Sequence, residues 1–153
     1  MEDDIKYLKS YIDKKLKDKD GGNWEYIYRP EIRYLIDNFN KQESEKFNAE
    51  IPNWSEEIKY ILADEIIFSE NKYLDKDYMY CEIFSKTENA EYGEYLLQNF
   101  TSIFKDLDPK KCSIEFVEKL RDKVIQFSKI SITESIEFDK LYEEKLAEIK
   151  NYC

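Results

Sequence analysis

From Ile5 to Ile149 the apolar residues of this chain return every three or four positions, and little breaks the rhythm. Only three glycines and three prolines punctuate 153 residues. An all-β chain needs turn residues every 8–12 positions or so, and this one has none to spare. Ile5, Leu8, Ile12 and Leu16, widened by Tyr7 and Tyr11, predict an amphipathic helix over 3–18 that stops at the Gly21–Gly22 pair. Pro30 suits the first turn of a second helix carrying Ile32, Leu35, Ile36 and Phe39. The stretch after it is polar apart from Phe47 and predicts fraying, a break or an exposed continuation. Pro52 and Asn53 then halt the chain. Ser55 caps a helix with Ile58, Ile61, Leu62 and Ile66 on one face, and Glu56 and Glu57 complement its positive end. Trp54, just before that cap, has the spacing to staple onto Ile58.

Asp75 or Asp77 opens a short helix on which Tyr78, Cys81 and Phe84 share a face. Asn89 caps the next, which runs to about Lys105 through Tyr92, Tyr95, Leu96, Phe100, Ile103 and Phe104. Asp108 before Pro109 starts another, and Ser131 with Glu134 has capping-box spacing before a last helix bearing Ile136, Leu141, Tyr142, Leu146 and Ile149. The expectation is an all-α fold of about seven helices in one domain over 1–153. Short middle loops favour antiparallel neighbours, and from residue 53 the order reads as stacked α-hairpins of a HEAT-like kind.

The charge is uneven. The net value is −10, and residues 51–108 carry 13 acidic against 5 basic side chains, a net of −8. That disfavours bare nucleic acid and anionic membranes as partners and favours a basic protein. The plainer account is solubility, since helix surfaces are charged in any case. Cys81, Cys112 and Cys153 have no metal-ligand spacing and form no evident disulfide framework, which fits reduced thiols in a cytoplasmic protein. The N-terminal segment lacks the apolar stretch of a signal peptide, and no run approaches the ~20 apolar residues of a membrane span.

Chemistry is sparse. With no histidine, the Ser-His-Asp and Cys-His triads and the histidine zinc motifs are excluded. With glycines only at 21, 22 and 93, no phosphate-binding loop exists. Glu57, Asp64 and Glu65 are the carboxylates with spacing for acid–base work or magnesium, yet such spacings are common on acidic helices. No catalytic residue, metal site or cofactor is assigned, and the chain is not expected to be an enzyme.

The aromatics are the remaining signal. Thirteen tyrosines accompany nine phenylalanines. Tyrosine at helical spacing is often a core-edge residue, and it is also enriched at protein interfaces. Tyr80 lies about 200° around its helix from Tyr78 and is read as facing either solvent near Glu82 or the neighbouring helix. On the next helix Glu91 and Glu94 flank the tyrosine face, and Gln98 follows one turn on. Tyr80, Glu82, Glu91, Glu94, Tyr95 and Gln98 are therefore the candidate partner contacts, suited to lysine and arginine through charge and cation–π attraction.

Residues 53–97 resemble the small all-helical immunity proteins of bacterial polymorphic toxin systems. The likeness rests on Trp54 ahead of a helix with Ile58, Leu62, Ala63 and Ile66. A tyrosine-rich second helix with Tyr78, Tyr80 and Phe84 follows, and then a third that begins at Ala90 and carries Leu96 and Leu97. The resemblance implies a protein that binds a cognate, often basic toxin domain and occludes its active surface. It supplies no site residues. The alternative is a helical-repeat adaptor with some other protein partner.

Overall fold

The structure is a computed structural model that describes residues 3–18, 23–128 and 132–152. The glycine pair, the expected Ser131–Glu134 cap and Cys153 lie outside the described residues, as does the Ile136 side chain. Among the described residues the fold is all-helical, with no strand. The α-helices are α1 (Asp4–Lys15), α2 (Arg29–Asp37), α3 (Lys41–Glu50), α4 (Glu56–Ile67), α5 (Lys76–Lys86), α6 (Ala90–Asp106), α7 (Ile114–Phe127) and α8 (Ile132–Lys150). Short 3-10 turns at Leu16–Asp18, Ile51–Asn53 and Pro109–Lys111 and a π-helical turn at Trp24–Tyr28 link them. No helix among the described residues is long and apolar enough to cross a membrane.

The chain divides into two compact units, Met1–Met79 and Tyr80–Cys153. In the first, α1 packs on α2, α3 and α4, and α2 packs on α4. The core joins Ile5, Leu8 and Ile12 of α1 to Ile32 and Ile36 of α2, Phe47 of α3, and Ile58, Leu62 and Ile66 of α4. Trp54 is buried with its ring 5.8 Å from that of Phe47. In the second unit α6, α7 and α8 pack on one another around Phe84, Phe100, Phe104, Phe127 and Phe138. Rings 84 and 100 lie 4.3 Å apart at their centroids, and rings 104 and 138 lie 5.4 Å apart. Each such buried side chain contributes about 1.5–3 kcal/mol relative to exposure.

Local chemistry explains most helix starts. Oxygens of Asp3, Ser55, Asn89 and Ser113 accept N–H bonds at the beginnings of α1, α4, α6 and α7. Two starts differ from the sequence expectation. The polar stretch after Phe39 breaks and restarts as α3, because Asn40 and Glu43 form a reciprocal capping box. Asp108 caps only the 3-10 turn at Pro109, so α7 begins five residues later, behind Ser113.

Helix ends show a shared device. The Lys76 ammonium donates to the Ser69 carbonyl (2.6 Å) just beyond α4. Lys123 donates to Thr87 O (2.7 Å) just beyond α5. Lys145 donates to Lys105 O (3.2 Å) and Leu107 O (2.6 Å) at the end of α6. A cation at these carbonyls satisfies acceptors the helix leaves open and complements the negative end of its dipole.

Candidate functional site

The candidate contacts fall on α5 and α6, and the two helices treat them differently. On α5, Met79, Tyr80, Cys81, Ile83, Phe84 and Ser85 are all buried, so burial extends around more than one face. Of the two positions expected for Tyr80, the structure gives the neighbouring helix, and the solvent-facing one is corrected. Its exposure is 0%, and its hydroxyl donates to Leu96 O at 2.6 Å. Tyr80 belongs to the core of the second unit. Glu82 is half-buried on the same helix.

α6 separates cleanly. Gly93, Leu96, Phe100, Ile103 and Phe104 are buried along one side. At 100° per residue, Glu91, Tyr95 and Gln98 lie within about 60° of one another, on the side opposite that stripe. Glu91 and Gln98 are exposed, Glu94 on the flank is half-buried, and Tyr95 is 37% exposed. The structure thus brings together Glu91, Tyr95 and Gln98, with Glu94 at their edge, on one continuous helix. Carboxylates beside an accessible ring present the acceptors and the π-face that a lysine or arginine side chain engages.

The inner side fixes how this face is presented. A Cβ built on Gly93 would meet Cδ1, Cδ2 and Cε2 of Phe127 at 2.5 Å, so glycine is what lets α7 approach here. Lys123, one turn before Phe127, binds Glu88 Oε1 (2.9 Å) just ahead of the Asn89 cap. That ammonium holds the Glu88 carboxyl below the usual glutamate range, first by hydrogen bonding and then by charge.

No protein-family model matches the chain, and no curated protein or solved structure is significantly similar to it. The arrangement itself therefore carries any functional reading.

Sequence reasoning missed one feature of the first unit. A cleft of about 420 Å³ is lined by Arg29, Pro30, Arg33, Tyr34 and Asp37 of α2. Three of its lining residues, Arg29, Arg33 and Asp37, tie to α4 and the segment after it. Glu65, at 0% exposure, accepts from Arg29 Nε (3.1 Å) and Arg33 Nη2 (2.7 Å). Asp37 accepts from the Ser69 hydroxyl and from the Glu70 N–H (3.0 Å). The Arg33 guanidinium also lies 5.5 Å from the centre of the exposed Phe68 ring. Glu65, considered from sequence as an acid–base or magnesium carboxylate, has both oxygens engaged by arginine. The four-residue spacing of Arg29 and Arg33 was a visible signal of one basic face. Their shared partner, more than 30 residues away, was not visible.

Proposed function

We propose that this chain is an immunity-type inhibitor, a cytoplasmic protein that binds a basic, nuclease-like toxin domain in equal stoichiometry and occludes its active surface. The observation that carries the reading is the outward face of α6, where Glu91, Glu94, Tyr95 and Gln98 combine negative charge with an accessible aromatic ring. It lies in the third of the sequence that holds a net −8. Such a surface attracts a basic partner at long range and offers tyrosine as a low-entropy anchor on contact. The same reading takes the consecutive helices as stacked α-hairpins of a HEAT-like kind. It assigns the chain binding and no chemistry.

The test is affinity purification from the native host, run in parallel with wild type and a Glu91→Lys/Gln98→Lys variant. The proposal expects one small basic protein at equal stoichiometry with wild type and its loss with the variant. Recovery of nothing, or of a partner indifferent to the reversal, overturns it. A large, non-basic partner recovered equally by both proteins points instead to the adaptor.

A further inference from the structure

α6 is gripped at both ends and near its first turn by side chains from the two helices that follow it. At its start, Lys123 is 6% exposed and donates to Thr87 O, Glu88 Oε1 and Gln126 Oε1 at 2.7, 2.9 and 3.3 Å. Four residues on, Phe127 seats against Gly93, so one face of α7 clamps the cap and the first turn of α6 together. At its end, Lys145 of α8 is 4% exposed and donates to Lys105 O and Leu107 O. Its Nζ also sits 5.7 Å from the centre of the Phe104 ring.

Burying two ammonium groups is costly unless each is fully hydrogen-bonded. Lys123 divides its bonds among Thr87 O, Glu88 and Gln126 ahead of α6, and Lys145, 3.8 Å from Glu148 Oε2, gives two to carbonyls at the end of α6. A lysine that only neutralised a buried acid would need no carbonyl. Here the carbonyls are the shared element, and they bracket the helix whose outer side bears Glu91, Tyr95 and Gln98.

We infer that Lys123 and Lys145 are positioning residues that hold α6 rigid at its two ends, so that its outer face is preorganised before a partner arrives. This rests on the reading of α6 as the recognition element. A surface already fixed in its binding geometry has less conformational freedom to lose on association, and the gain appears mainly as slower dissociation. The two lysines touch no partner in this scheme.

The test begins without a partner. Amide hydrogen exchange is measured on wild type, Lys123→Met, Lys145→Met and Glu88→Gln. Glu88→Gln is the mild variant, because that carboxylate is largely exposed while its oxygen still meets Lys123. The expectation is local. Lys145→Met speeds exchange at least about tenfold over the last turn of α6. Lys123→Met does so over its first turn, and Glu88→Gln does so more weakly at the same end. Equal acceleration across α6, α7 and α8, or none in any variant, overturns the positioning role. Should the methionine variants fail to fold, Glu88→Gln still decides the N-terminal half, and Lys145→Gln, which removes the charge but stays polar, decides the other: faster exchange over the last turn of α6 supports the role and unchanged protection overturns it. The second arm measures dissociation of the basic protein captured on the wild type. Dissociation about tenfold faster in the variants supports both readings. Local loosening of α6 with unchanged dissociation leaves the brace standing and removes α6 as the recognition helix.

Discussion

Replacing Gly93 with alanine sets two effects of opposite sign against each other. Alanine in a helix interior is favoured over glycine by about 1 kcal/mol. Against that, the added Cβ would stand 2.5 Å from three ring atoms of Phe127, where something must move. The ring is not a flexible chain end that slides aside at little cost. Phe127 is buried, and its centroid lies 6.0 Å from that of Phe84. Overpacking of a filled core costs about 1–3 kcal/mol. The clash offsets the propensity gain or exceeds it, and Gly93→Ala is expected to destabilise by up to about 2 kcal/mol. Urea unfolding followed by far-UV ellipticity reads this. Trp24 and Trp54 both lie in the first unit, so ellipticity, which reports all the helices, is the readout to use. A double-mutant cycle with Phe127→Leu sharpens the result. In the leucine background the alanine should become neutral or stabilising, a coupling that neighbours in contact show and distant sites do not. An alanine variant about 1 kcal/mol more stable than wild type in the native background refutes the reasoning. It would mean that the ring retreats freely and that the close approach is not what fixes glycine here.

Three further outcomes follow from the geometry. Glu65→Gln strips the buried carboxylate that both Arg29 and Arg33 engage, and because the arginines left behind are partly exposed the expected loss is about 1.5–3 kcal/mol in chemical denaturation. Asn40→Ala removes one half of the α3 capping box and should cost about 1 kcal/mol, seen as a lowered Tm. Glu88 has a folded-state pKa below its unfolded value because of Lys123, so its contribution is present above the unfolded range and disappears as pH falls through the folded value. Carboxyl NMR should show the Glu88 midpoint rising toward the ordinary glutamate range in Lys123→Met. A midpoint that stays put would break the link to Lys123.

Sequence was most informative where the determining interaction is local. The caps at Ser55 and Asn89 bond N–H groups three residues on, so the helix starts at 56 and 90 could be read directly. The Asn40–Glu43 box is equally local, but the run it opens is polar apart from Phe47 and has no apolar stripe to mark a helix. Tyr80 could not be placed by periodicity. A one-face wheel assumes one buried side, and α5 is buried around more than one. On α6 periodicity found Leu96, Phe100, Ile103 and Phe104 of the buried stripe, but it counted Tyr95 with them, and Tyr95 lies on the opposite, exposed side. The tie of Glu65 to Arg29 and Arg33 and the seat of Phe127 on Gly93 join residues more than 30 positions apart. No spacing rule connects them.

The central claim is that the outer face of α6 meets a basic protein through charge and an aromatic anchor. The most direct measurement is the association rate of the captured partner with wild type and with Glu91→Lys/Gln98→Lys, taken at low and at physiological ionic strength. The account predicts a wild-type rate that falls about tenfold or more with added salt. It also predicts that the reversal variant is slow at both salt concentrations. A rate indifferent to salt and unchanged by the reversal would contradict it.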